Sequence, residues 1–265
     1  MNKLLNFKTM HKQEALLFLP NAWDVLSALI LEQAGFNAVG TTSWGIANAM
    51  GYKDGEKIQF NELLALTRKI VSAVQIPVTV DIESGYSESP DVIANNVLKI
   101  ANTGAAGINI EDSLKSQPGL INKEKQSEIL SNIRSTLDSN GYADFFINAR
   151  TDTYLHQSNP LNETINRSAD YIAHGANGIF VPGLHNTHDI QKLVESIEAP
   201  LNIMSLPHLT DIGSLNRLGV KRFSIGNALC DATISFIENK AHQLLTQQTT
   251  RHLYENGKIK TSFKG

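Results

Sequence analysis

A single cysteine, Cys230, among 265 residues leaves no partner for an intrachain disulfide and fits a reducing compartment. No stretch approaches the ~20 apolar residues of a membrane span, and residues 1–13 lack the long apolar run of a signal peptide. Charge of one sign is not in large surplus. The chain carries 23 Lys and Arg against 26 Asp and Glu, so neither nucleic acid nor an anionic membrane is expected as a partner. No Pro/Ser-rich linker or low-complexity run divides it, so residues 1–265 read as one domain with a polar tail over about 248–265. A cytoplasmic protein is expected. The histidines are scattered: His156, His174, His185, His188 and His208 show no metal-ligand spacing and read as surface or loop residues. Cys230 sits in an apolar helical run, where packing is the simpler role.

Helical and strand-like segments alternate along the chain. A helical pattern, a glycine and a short apolar strand recur around Gly35, Gly104, Gly175 and Gly219. Glycine past a helix end takes the left-handed cap conformation without a Cβ penalty. Two other helices lead into strands through Ile76-Pro77 and Ala199-Pro200. Strands are expected near 16–20, 38–42, 77–82, 106–111, 145–149, 178–182, 201–205 and 222–226, with helices between them. Parallel strands need crossover connections, so this alternation predicts a parallel sheet. Eight such units in this length match an α/β (β/α)8 TIM-type barrel. The rival open sheet needs a glycine-rich phosphate turn after its first strand, and Leu19-Pro-Asn-Ala-Trp-Asp24 has none.

Three of these strands stop abruptly on charge: Pro77-Val-Thr-Val-Asp-Ile-Glu83, Ala106-Gly-Ile-Asn-Ile-Glu-Asp112 and Phe145-Phe-Ile-Asn-Ala-Arg-Thr-Asp152. Buried charges are costly unless they converge on a ligand, a metal or one another. In a barrel the carboxyl ends of the strands share one rim, where active sites sit. Asp81 and Glu83 are two apart, so a continuing strand puts both on one face. With Glu111 they offer three hard oxygen donors suited to Mg2+ or Mn2+. The alternative is that these acids pair with Arg150 or with helix N-termini. Arg150 can grip a carboxylate or phosphate bidentately, or pair internally with Asp152 or Glu111. The loop Gly40-Thr-Thr-Ser-Trp-Gly-Ile-Ala47 offers small hydroxyl residues and backbone N–H groups to an anion. Read alone it is more simply an ordinary connection with Trp44 packing. Asp54 adds an acid on a glycine-flanked loop.

Together these stretches resemble the isocitrate lyase/phosphoenolpyruvate mutase superfamily, from Leu19-Pro-Asn-Ala-Trp-Asp24 to about Gly226. The strongest matches are Val80-Asp-Ile-Glu-Ser-Gly-Tyr86, Gly107-Ile-Asn-Ile-Glu-Asp112 and Asn148-Ala-Arg-Thr-Asp152. The resemblance implies a barrel whose last helix is commonly swapped in homodimers or homotetramers. It also implies Mg2+ and a small α-keto or α-hydroxy acid substrate. By resemblance Asp81 ligates the metal most directly, and Glu83, Glu111 and Asp54 hold it through water. Thr42, Ser43, Trp44 and Gly45 lie at the loop that takes the substrate carboxylate. Arg150 matches the arginine that grips substrate, and Asn202 resembles a polar residue on the seventh strand. Arg150, Glu111 and Asp54 are the catalytic candidates.

The departures narrow the reaction. Lyase members carry a Lys-Arg-Cys-Gly-His motif after the fourth strand, whereas this chain has Ser113-Leu-Lys-Ser-Gln-Pro-Gly-Leu-Ile-Asn-Lys123. Lys115 and Asn122 are the nearest types to the lysine and asparagine of mutase and phosphonopyruvate hydrolase members. Phe180-Val-Pro-Gly183 stands where members usually place a histidine or glutamate. The expectation is a Mg2+-dependent enzyme that stabilises an enolate and cleaves a C–C bond. Phosphonate P–C chemistry, or a keto-acid-binding barrel with little turnover, are the alternatives.

Overall fold

The computed structural model describes residues 3–113 and 118–254. The strands are β1 (Leu17–Leu19), β2 (Asn21–Ala22), β3 (Val39–Thr41), β4 (Val78–Asp81), β5 (Gly107–Glu111), β6 (Phe146–Arg150), β7 (Gly178–Phe180), β8 (Leu201–Met204) and β9 (Arg222–Ser224). All pair in parallel, in the order β1-β9-β8-β7-β6-β5-β4-β3-β2. β1 and β2 are two halves of one stave, interrupted at Pro20, which has no N–H for a ladder. Leu17 pairs with Arg222 on one side and Asn21 with Gly40 on the other, so this stave closes the ring. The nine strand segments therefore make the expected eight-stave barrel.

The helices between them are α1 (Lys3–Met10), α2 (Val25–Gln33), α3 (Ser43–Ala49), α4 (Phe60–Ala73), α5 (Pro90–Ala101), α6 (Lys123–Ser139), α7 (Thr153–His156), α8 (Leu161–Ala173), α9 (Thr187–Ser196), α10 (Ile212–Arg217) and α11 (Ala228–Gln247). Gly35, Gly104, Gly175 and Gly219 all have positive φ, from 88° to 104°, as the cap pattern requires. α2 starts on a capping box in which the Asp24 carboxylate accepts from Ser27 N at 2.6 Å. The helices lay apolar stripes on the barrel. Leu63, Leu64, Ile70 and Val71 of α4 are buried, each contributing about 1.5–3 kcal/mol by burial.

Inside the ring lies a second, partly polar core. Arg222 on β9 donates from Nη2 to Asn109 Oδ1 on β5 at 3.1 Å, across strands that are not neighbours. Gly107 faces the same bore. A Cβ there would stand 2.5 Å from the Phe146 carbonyl oxygen, so only glycine fits. The floor is sealed by α1. Phe7 meets Phe146 edge-on at 5.7 Å, and His11 stacks on Phe146 at 4.0 Å. Leu17, Leu19, Ala38 and Ala106 complete this cluster.

α1, α3 and α7 were not anticipated from the pattern; they are short and take their order from tertiary contacts. α11 is 20 residues long, yet Cys230 is its one buried residue, while Phe236, Ile237 and Leu245 are exposed. No helix among the described residues is long and apolar enough to cross a membrane. Residues 251–253 of the expected tail form a 3-10 turn; 255–265 and Lys115 lie outside the described residues.

Candidate active site

The carboxyl ends of the strands surround a cavity of about 210 Å³. Asp81 ends β4 and Arg150 ends β6, and both line it, together with Asp54, Thr42, Ser43 and Trp44 from the loops. Glu111 and Arg150 are direct register partners on β5 and β6. Arg150 Nη1 meets Glu111 Oε2 at 2.8 Å. Its Nε and Nη2 meet the two oxygens of Asp152 at 2.6 and 2.9 Å. Burial alone would lower the Arg150 pKa; the Glu111 and Asp152 charges outweigh it and hold the group above the ordinary guanidinium range. The internal pairing considered for Arg150 is thus present with both acids, while the side chain still borders the cavity.

Asp152 is itself held from behind. The next residue after Glu111 is Asp112, and alternation turns it away from the bore into the helix layer. Asp112 is fully buried. It accepts from Thr151 Oγ1 at 2.8 Å, Asp152 N at 2.9 Å, Tyr171 OH at 2.7 Å and Arg167 Nη1 at 3.1 Å. Burial raises its pKa, and these four donors act against that rise.

Asp81 Oδ2 accepts from Ser43 Oγ at 2.9 Å and Ser43 N at 3.4 Å, joining the second loop to the third stave. Glu83 departs from the expected geometry. β4 ends at Asp81 and Glu83 has φ +50°, so alternation no longer places the two on one face. Its carboxylate accepts from Glu56 N at 2.7 Å and Tyr86 OH at 3.3 Å. Glu56 in turn accepts from Ser84 N and Tyr86 N at 3.0 and 2.9 Å. This reciprocal strap fastens the loop that carries Asp54 over the cavity. Burial first, then the charges of Glu83, Glu56 and Asp81, push the Tyr86 hydroxyl well above the usual phenol range.

The three-carboxylate cage expected of Asp81, Glu83 and Glu111 is therefore not formed. Glu83 serves the strap and Glu111 faces Arg150. Among the described residues no three His, Cys, Asp or Glu side chains gather closely enough to enclose an ion. Asp81 and Asp54 are the carboxylates that border the cavity. An oxygen-only set of this kind fits a hard cation that keeps several waters, as Mg2+ does.

Two further expectations are corrected. Gly45 does not line the cavity. Its N–H goes to Thr42 Oγ1 at 3.3 Å as the N-cap bond of α3, and its Cα faces Trp23 and Cys230. Asn202 is buried in the bore below the cavity and does not line it, donating to Ile203 O at 2.9 Å and to Ser224 Oγ at 3.1 Å. Asn122 caps α6 through Glu124 N at 2.9 Å. Residues not foreseen line the cavity instead, notably Asn109, Asn21 and Phe180. Phe180 stands 5.7 Å from the Arg150 guanidinium, so the wall beside the arginine is aromatic. Asn109 carried a readable signal, since it lies two residues before Glu111 and so shares its face.

The chain is 38% identical over 224 residues to an uncharacterized protein of Mycobacterium tuberculosis, covering 84% of this chain and 82% of that one. It is 28% identical over 214 residues to a 2-methylisocitrate lyase of Halalkalibacterium halodurans, covering 78% and 67%. It is 26% identical over 225 residues to oxaloacetate decarboxylase 1 of Pseudomonas fluorescens, covering 82% and 75%. A structure of phosphonopyruvate hydrolase in complex with oxalate and Mg2+ shares the fold, with a TM-score of 0.89 at 20% identity over 98% of this chain and 92% of that one. Residues 7–245 match the phosphoenolpyruvate phosphomutase family. With that match and the barrel rim described above, the chain belongs to the isocitrate lyase/phosphoenolpyruvate mutase superfamily.

Proposed function

We propose that the protein is a Mg2+-dependent enzyme that cleaves a C–C bond in a small α-keto or 2-hydroxy (di)carboxylic acid through an enolate, with decarboxylation of a keto diacid preferred. The observation that carries this is the pairing of an anchored guanidinium, Arg150, with two carboxylates, Asp81 and Asp54, around one cavity of about 210 Å³. That room suits a molecule of a few carbons. Arg150 would hold a substrate carboxylate, with its aim set by Asp152 and Glu111. Ser43 would add a hydroxyl beside Asp81. Asp81 and Asp54 would hold the divalent ion, whose role when bound is to polarise the keto oxygen and withdraw electrons.

Decarboxylation is preferred to retro-aldol cleavage for a chemical reason. Apart from Asp54 and Asp81, the described residues lining the cavity include no Glu, His, Cys, Lys or Tyr to move a proton. Breaking a C–CO2 bond in a β-keto acid needs an electron sink and orientation, not removal of a proton from a hydroxyl. The likeness to an oxaloacetate decarboxylase supports this choice. The exposed Phe236, Ile237 and Leu245 of α11 further support a homodimer or homotetramer in which this helix seats on a second copy.

The test is a panel of 2-keto and 2-hydroxy acids and diacids, and phosphonopyruvate, assayed with and without MgCl2. Release of CO2 and a keto acid from a keto diacid is expected. Phosphate release from phosphonopyruvate would favour P–C chemistry. Tight oxalate binding with no turnover of any panel member would replace the enzyme with a binding barrel.

A further inference from the structure

The bore beneath the cavity holds a ladder of amides whose orientation is dictated from one end. Asn202 Nδ2 donates to a backbone carbonyl, Ile203 O, at 2.9 Å, so its Oδ1 must be the acceptor end. Asn148 Nδ2 donates to that Oδ1 at 3.0 Å and to Asn109 Oδ1 at 2.9 Å. Arg222 Nη2 donates to the same Asn109 Oδ1 at 3.1 Å. A guanidinium has no acceptor, so a flipped Asn109 would set donor against donor on two sides. Both lone pairs of Asn109 Oδ1 are thus used from below. Its Nδ2 donates to no protein atom among the described residues, and Asn109 lines the cavity beside its register partner Asp81.

We infer that Asn109 contacts the substrate, donating its amide N–H to a carboxylate or enolate oxygen at the cavity floor, and that Arg222 is a positioning residue that fixes this amide. The assignment rests on the functional reading above and adds to it a specific donor. Arg222 is fully exposed to no solvent, at 0% accessibility, and its Nε and Nη1 have no hydrogen-bond partner among the described residues. A buried cation is costly, and a side chain kept at that cost has its charge directed at something. Here it donates to the carbonyl end of the Asn109 amide, with the Asp81 carboxylate also within reach of its charge. Hydrogen bonds that accept at the oxygen polarise the amide and strengthen its N–H as a donor. Burial pulls the Arg222 pKa down to about 9, with Asp81 pulling it back up, so the group stays charged at neutral pH. The ligand chemistry is an oxyanion of a small acid; a floor that offers one fixed donor discriminates against an analogue lacking that oxygen.

The test uses the full chain and oxalate with MgCl2, followed by calorimetry. Asn109→Asp keeps the shape and the acceptor for Arg222 and Asn148 but presents oxygen to the ligand. It is expected to weaken oxalate tenfold or more while the protein stays folded. Asn109→Leu removes the donor without adding charge and is expected to weaken oxalate severalfold. Arg222→Met is expected to weaken it as well, and Asn109→Leu with Arg222→Met together to be no weaker than the worse single variant. That non-additivity would not arise from a merely structural arginine. Oxalate affinity unchanged in Asn109→Asp and Asn109→Leu, with wild-type protein binding normally, overturns this assignment alone. Wild-type protein that binds no oxalate overturns the functional reading and this assignment with it.

Discussion

The same strands end very differently at the floor and at the rim of the barrel. At the floor, Phe7, His11 and Phe146 stack into a closed plug with Leu17, Leu19, Ala38 and Ala106. At the rim, Asp81, Glu111, Arg150 and Asp152 stand around an open cavity or just behind it. The floor carries one titratable ring, and it is neutral. His11 Nδ1 faces Phe7 O at 2.9 Å and must carry the hydrogen there. Burial, with a smaller contribution from Arg222, lowers the His11 pKa to about 3. The rim instead retains charge by pairing it. The difference teaches that stability and chemistry are largely separated along each strand of this barrel, although the buried Arg222 charge is felt at both His11 and Asp81.

The sharpest way to break that contrast is at the floor. Phe146→Ala removes the ring on which both Phe7 and His11 pack, and is expected to cost about 3–5 kcal/mol of stability. Oxalate affinity in the folded fraction should change little. A large loss of affinity, seen by calorimetry at a temperature where the variant is folded, would mean the ends are coupled.

The converse change is Arg150→Lys. It keeps a cation between Glu111 and Asp152 but loses the planar fork. A fall in kcat/KM of roughly a hundredfold, ~2.7 kcal/mol, is expected with only a small shift in Tm. Equal activity would show that Arg150 serves the wall and not the ligand.

The smallest expected effect, reckoned per pH unit, is in pH dependence. The folded His11 pKa of about 3 lies below its unfolded value of 6.5. Between these values the unfolded chain binds a proton that the folded chain does not. Its contribution to stability is therefore full above pH 6.5 and is lost on acidification towards pH 3, at up to ~1.4 kcal/mol per pH unit. His11→Gln should flatten this acid limb in denaturant titrations. An unchanged limb would show that rim carboxylates dominate it.

Local chemistry made most of the barrel legible. The glycine caps at Gly35, Gly104, Gly175 and Gly219, and the proline entries at Pro77 and Pro200, mark helix-to-strand junctions by residue type alone. The charged strand ends marked the rim, and Asp81 and Arg150 do border the cavity. What escaped depends on contacts far apart in sequence. Glu83 leaves the strand path because Glu56, 27 residues earlier, offers its N–H to it. Asn202 stays in the bore below the cavity because Ser224 and the Ile203 carbonyl take its amide. Gly45 is spent on the α3 cap, a helix with no strong pattern of its own. Asn109 and Arg222 were within reach of the period-two rule, by stepping back two residues from Glu111 and Ser224. Asparagine and arginine on an apolar strand signal a polar bore only once the strands are known to close.

The most direct test of the rim as a metal-and-acid site is calorimetric titration of oxalate into wild-type protein and Asp81→Ala, each with and without MgCl2. Binding that requires MgCl2 in the wild type and disappears in a folded Asp81→Ala is the predicted result. Equal binding without the metal, or an Asp81→Ala variant that binds as the wild type does, would contradict it.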